Sequence, residues 1–163
     1  MISFSELDKS RKNEMLPLLF GILYSNMHSV APSGMSYQEE KERYIATVSS
    51  ALGRESRRIL LCRDNGIIAG FIQYCTTSDT LMIEEVQLAE NLQGTLTFRK
   101  MCSCLANSLP SSISYIEAYA DKRNLRSQEL MIKVGMKQTD EACGSSFLHF
   151  RGDTPRIISR FRL

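Results

Sequence analysis

Apolar positions along this chain change their spacing several times, and each change marks a new element. A short strand at Ile2–Phe4 comes first. From about residue 11 to 27 the apolar residues Met15, Leu19, Ile22, Leu23 and Met27 fall near one face of a helix. Pro17 belongs in the first turns of that helix or kinks it. The stretch VAPSG, residues 30–34, reads as a loop. Ser36 with Glu39 three residues on is a capping box, so a second helix starts there. Its stripe is Tyr37, Tyr44, Ile45, Val48 and Leu52, and Gly53 is placed to end it in the left-handed region.

The spacing then shifts to that of strands. Arg58–Arg63 is a strand of the buried kind. Asp64-Asn65-Gly66 predicts a tight hairpin, because Asn-Gly tolerates the positive φ that a two-residue turn demands. Ile67–Tyr74 returns, residues 76–80 turn, and Leu81–Leu88 is a third strand, which together predict an antiparallel meander. A helix follows from about Thr95 to Leu109, with Phe98, Met101, Cys102, Leu105 and Leu109 on one stripe and Pro110 beyond it. Ile113–Ala120 is a strand. Asn124 to Val134 is a short helix ended by Gly135. Short strands near Met136–Gln138 and Ser146–Arg151 complete the series. A helix between strands 81–88 and 113–120 permits a parallel pair there, joined by a right-handed crossover. The fold class is therefore α/β (α+β), with a mixed, mainly antiparallel sheet holding one central parallel pair.

Composition narrows the function classes. The 163 residues suffice for one domain with a real core. A domain over 1–153 with a basic, solvated tail over 154–163 is expected, the tail carrying Arg156, Arg160 and Arg162. The net charge of +2 is too small to argue for nucleic acid. No apolar run reaches the length of a membrane span, and the polar start lacks a signal core, so a cytoplasmic protein is expected. The five cysteines (Cys62, Cys75, Cys102, Cys104 and Cys143) match no zinc spacing and read as reduced thiols. A nucleophilic cysteine would need His28 or His149 as its base.

Three blocks carry a resemblance. MIEEVQL at 82–88 is similar to a central strand motif, LQG at 92–94 to the opening of a pyrophosphate loop, and NLRSQELMIKVGM at 124–136 to a helix motif matched at Asn124, Ser127, Leu130, Lys133 and Gly135. Together, in this order, they resemble the GNAT (Gcn5-related N-acetyltransferase) superfamily over nearly the whole chain. The resemblance implies that acetyl-CoA is a cosubstrate lying between two splayed parallel strands. Its pantetheine arm would pair with Val86, Gln87 and Leu88, and a backbone N–H near Leu88 would hold the thioester oxygen. Its pyrophosphate would sit on Gln93, Gly94, Thr95, Leu96 and Thr97, with Asn124 and Ser127 also at the cofactor. A small-molecule or protein amine would be the acceptor. Nucleic acid and membrane are not expected partners, and monomer and homodimer both stay open.

Two departures from the family bear on chemistry. The later small positions of the loop carry Leu96 and Phe98. If these face the cofactor, phosphate approach is blocked; if they turn inward, the N–H groups of 94–98 remain available. Met131 stands where many members place a tyrosine that protonates the leaving thiolate, and methionine has no proton to give. Tyr119 or a water is then the candidate acid. For the base, strand alternation puts Glu84 and Glu85 on opposite faces, with Glu84 preferred. Asn124 also reads as a plain helix N-cap. Beside the enzyme stands an alternative: a non-catalytic descendant serving as a coenzyme A-binding or interaction module.

Overall fold

The capping box read from the sequence is formed. In the computed structural model, which describes residues 1–140, 144 and 146–161, the Ser36 hydroxyl accepts from the Glu39 N–H while the Glu39 carboxylate accepts from the Ser36 N–H. Seven strands run in the order β1-β2-β3-β4-β5-β7-β6, with β1 Ile2–Glu6, β2 Arg57–Asp64, β3 Ile67–Thr76, β4 Thr80–Leu88, β5 Tyr115–Asp121, β6 Lys137–Gln138 and β7 Phe147–Asp153. The helices are α1 Lys12–Met27, α2 Tyr37–Ala51, α3 Thr97–Ser108, α4 Leu125–Lys133 and α5 Thr154–Phe161. The chain packs as two units, residues 1–73 with 85–98 and residues 74–84 with 99–163.

In the first unit β1 pairs antiparallel with β2, and the hairpin after β2 turns through Asn65 at φ 48° and Gly66 at φ 84°. Both positive angles are what the two-residue turn requires. Helices α1 and α2 cover Ile59, Leu61 and Phe71 with Leu16, Leu19 and Val48. The buried stripe of α1 differs from the expected one: Met15, Leu16, Leu19 and Phe20 are buried, whereas Ile22 and Met27 are half-buried. The packed face is centred one residue further round the helix, because Leu16 and Phe20 are i, i+4 neighbours. Pro17 lies inside α1. Gly53 does not take the left-handed conformation; the helix ends as the Gly53 N–H bonds to Ser50 O, a tightened last turn.

In the second unit β4 runs parallel to β5, with Thr80–Ile83 in register with Tyr115–Ala118. Beyond that register β4 continues to Leu88 and β5 to Asp121. β5 pairs antiparallel with β7 along its whole length, and β7 with β6. Helix α3 starts at Thr97, two residues later than expected, and buries Met101 and Leu105. Gly135, at φ 101°, ends α4. Residues 154–161, expected as part of a solvated tail, form α5. Thr154 and Ile157 are buried three residues apart on one face, and the neighbouring arginines point outward. Arg162 and Cys143 lie outside the described residues. The other four cysteines are in no disulfide, and burial pushes Cys62 up and Cys102 up to about 12. A thiol so raised holds its proton at neutral pH and makes a poor nucleophile.

Candidate functional site

The end of β4 is shaped by a glycine on its neighbour. A Cβ on Gly70 of β3 would stand 2.6 Å from Gln87 O and 2.5 Å from a Leu88 methyl carbon, so only glycine lets the two backbones pass this closely. Just beyond, the Ala89 N–H donates to Ala69 O at 2.8 Å.

Four side chains then link this strand end to the loop that follows. Gln93 Nε2 donates to Asn26 Oδ1 at 3.0 Å, Asn26 Nδ2 to Gln87 Oε1 at 2.7 Å, and Gln87 Nε2 to Glu85 Oε1 at 2.7 Å. The Leu88 carbonyl accepts from both Asn26 Nδ2 (2.9 Å) and Gln93 Nε2 (3.0 Å). The Gln93 amide, expected at the cofactor, is therefore turned onto the strand. Sequence reasoning did not single out Asn26. Its signal was an amide seven residues after Leu19, on the core stripe of α1, where a polar side chain needs partners. Asn26→Ala takes the donor from Gln87 Oε1 and one of the two acceptors from Gln93 Nε2, so equilibrium urea unfolding is expected to show a loss of about 1–3 kcal/mol; a change within about 0.3 kcal/mol would contradict the linkage.

Gly94 sits at φ 73° with nothing within 4 Å of where a Cβ would stand. This glycine serves the turn and leaves open space above it. Leu96 is 59% exposed, Phe98 is half-buried, and Thr97 is buried. Leu96 thus projects outward, while Phe98 partly joins the packed side. The Thr95 hydroxyl donates to Leu92 O at 2.7 Å and accepts from the Thr97 N–H at 3.1 Å. The Thr95 N–H reaches Leu92 O at 3.4 Å. Among the described residues the Gly94 and Leu96 N–H groups have no partner. Two donors at the start of α3 suit an anionic oxygen.

Glu85 is half-buried, and the protein packed around it raises its carboxyl to about 7, against the Gln87 side chain and the Val86 N–H, which favour the charged form. Its own burial, and secondarily the charge of Glu85, push the Tyr44 phenol of α2 above its ordinary value. Glu84 is half-buried and, by alternation, on the other face of the strand. Val86 is half-buried; Gln87 and Leu88 are buried.

The second unit holds the remaining expected residues. The Tyr119 ring, 43% exposed, lies 4.8 Å from the imidazole of His149, which is 2% exposed. His149 Nδ1 stands 2.7 Å from the Thr139 hydroxyl and Nε2 3.4 Å from Glu117, whose other oxygen accepts from Arg151 at 3.0 Å. Asn124 is the N-cap of α4: its Oδ1 accepts from the Ser127 N–H at 3.0 Å. Both residues therefore serve the helix end. Met131 is half-buried on α4.

Mixed sheet, parallel central pair, crossover helix and capped fourth helix together define the GNAT fold. An acetyltransferase of Thermus thermophilus is similar at a TM-score of 0.75 and 12% identity, covering 94% of this chain and 97% of that one. The PaiA N-acetyltransferase of Thermoplasma acidophilum, solved in complex with coenzyme A, is similar at 0.78 and 12%, covering 94% and 99%. The N-acetyltransferase PseH of Campylobacter jejuni is similar at 0.60 and 16%, covering 93% and 97%. No protein-family model matches the chain, and no curated protein matches it by sequence. Among the described residues no helix is long and apolar enough to cross a membrane, and no cluster of three or more His, Cys, Asp or Glu could hold a metal ion.

Proposed function

We propose that the chain is an acetyl-CoA-dependent N-acetyltransferase acting on a primary amine, with Glu85 rather than Glu84 as the base. One arrangement carries this reading: a carboxyl that burial pushes up to about 7 is tied by three consecutive side-chain amides to a loop with two open N–H donors. The loop fits a phosphate, since Gly94 leaves room above it and the Gly94 and Leu96 N–H groups are unused. Bound acetyl-CoA supplies a thioester whose C–S bond is exchanged for a C–N bond to the amine, releasing the thiol. Glu85, ionised above pH 7, takes the proton of the incoming ammonium, leaving a lone pair free to attack. Gln87 keeps Oε1 of Glu85 oriented during that transfer.

A second reading, a non-catalytic binding module, is favoured by the large exposed Leu96 at a position where the family has a small residue. Calorimetric titration with coenzyme A separates them, supported by thermal unfolding. Ligand at about a hundred times its dissociation constant adds about 2.7 kcal/mol of stability. Gly94→Glu places a like charge in the cradle and a side chain at positive φ, yet meets no neighbour. The variant is expected to stay folded and to lose coenzyme A affinity at least tenfold. Equal affinity in both proteins would remove the site, and no binding to the unaltered protein at millimolar ligand would leave the module.

A further inference from the structure

Gln87 is the side chain that touches the Glu85 carboxyl, and its amide has two unlike ends. The nitrogen end donates to a carboxylate. The oxygen end only accepts, so it suits a carboxyl that still holds its proton. In the structure the nitrogen end is presented: Gln87 Nε2 lies 2.7 Å from Glu85 Oε1. Nothing in Gln87 itself makes that choice. Its other end does, where Oε1 accepts from Asn26 Nδ2 at 2.7 Å. Asn26 has no freedom to offer its oxygen there instead. Its Nδ2 also donates to Leu88 O at 2.9 Å, and its Oδ1 accepts from Gln93 Nε2 at 3.0 Å. Gln87 is 6% exposed, so a partner it loses is not readily replaced by water.

We propose that Asn26 is a positioning residue for the base: through Gln87 it holds a hydrogen-bond donor against the Glu85 carboxylate and so keeps the proton-accepting form of Glu85 available. The proposal rests on Glu85 being the base and adds a residue of α1 that acts at one remove from it. Burial works against the charged carboxyl, and the Gln87 side chain works for it. Without Asn26 the Gln87 oxygen has lost its donor. The arrangement that sets this oxygen against a protonated Glu85 then gains ground, and Glu85 keeps its proton to higher pH. The surrounding groups do not offset the change. Among the described residues Glu85 has no ion pair. The Tyr44 phenol of α2 senses its charge but, raised by burial, stays neutral over the same range. Glu40 and Lys41 precede Tyr44 on α2, and Glu40 accepts from Ser33. The neighbouring strand β3 and residues 17–27 of α1 carry no Asp, Glu, His, Lys or Arg.

The test is carbon-13 NMR of the glutamate carboxyl carbons from about pH 5 to 9, without cofactor. The proteins are the unaltered chain, Asn26→Ala, the bulkier Asn26→Leu, Gln87→Met, and Asn26→Leu combined with Gln87→Met. The Glu85 signal is the one missing from Glu85→Gln. Loss of a hydrogen bond to a charged group should raise the Glu85 midpoint by about one pH unit in Gln87→Met, and by at least about half of that in each Asn26 variant. The combined variant should titrate within about 0.3 unit of Gln87→Met, since Asn26 acts only through Gln87. The rising limb of acetyl transfer should move up with the midpoint, so that rate lost near pH 7 returns near pH 9. An Asn26 that served the fold alone would lower the melting temperature and leave the midpoint in place. An unmoved midpoint in both Asn26 variants would overturn the proposal, as would a shift from Asn26→Leu just as large when added to Gln87→Met. A rate limb that ignores the Glu85 midpoint in the unaltered chain would remove Glu85 as the base, and the proposal with it. A limb that tracks the midpoint while the Asn26 variants move neither would count against Asn26 alone.

Discussion

Glu85→Gln is expected to lower kcat for acetyl transfer at pH 7.5 by about a hundredfold or more, while the Kd for coenzyme A stays within about twofold. Glutamine keeps the shape and can still accept from Gln87, but it cannot take a proton. The unaltered chain should show a rising pH–rate limb centred near 7, where the carboxyl ionises. The variant should lack that limb. The same carboxyl leaves a mark on stability. Its pKa in the fold is raised from 4.5 to about 7, so between those values the folded chain holds a proton that the unfolded chain has released. Stability from this group is therefore full below about 4.5 and is lost as pH rises through 7. Glu85→Gln should flatten that part of the profile in urea unfolding followed from pH 5 to 8. An unaltered rate profile together with an unaltered stability profile would remove Glu85 from the role.

Gly70→Ala is expected to destabilise the fold by about 1–3 kcal/mol, as overpacking does. The reason is geometric: the new carbon would stand 2.6 Å from a backbone carbonyl, which cannot swing aside as a flexible side chain would. Because that carbonyl belongs to Gln87, the shift passes directly to the strand end that receives Asn26 and Gln93. Coenzyme A affinity should fall in the same variant. At about 2–4 °C per kcal/mol for a chain of this length, the melting temperature should drop by several degrees. Gly21→Ala is the control. It lies inside α1 with nothing within 4 Å and should add about 0.5–1 kcal/mol. If both variants melted like the unaltered chain, the close approach would be refuted.

Local chemistry made much of the fold legible. Asn65-Gly66 announced its hairpin, Ser36 and Glu39 their cap, and Asn124 the start of α4, because each depends on a few adjacent residues. The parallel pair followed from a helix lying between two strands. Long-range relations were less readable. Alternation separated Glu84 from Glu85, but which of them meets the closed surroundings depends on what packs over the strand. Asn26 gains its meaning only from Gln87 and Gln93, more than sixty residues away. His149 is buried through the register of β7 with β5 and through Thr139, and no local pattern encodes either. The helical form of 154–161 was masked by its arginines, although Thr154 and Ile157 have helical spacing.

The row of amides from loop to carboxyl has a sense of travel. Gln93 gives to Asn26, Asn26 to Gln87 and Gln87 to Glu85, every link pointing the same way. Reversing one amide would set nitrogen against nitrogen or oxygen against oxygen, so all of them must flip or none. The Leu88 carbonyl, which can only accept, receives the second hydrogen of both Asn26 and Gln93 and uses both its lone pairs to do so. The arrow is thus pinned at its upstream end by a group that never titrates. A proton arriving on Glu85 can alter the last link without turning the first. In the proposed reaction the carboxyl would then cycle through its two charge states while the loop kept one unchanging face.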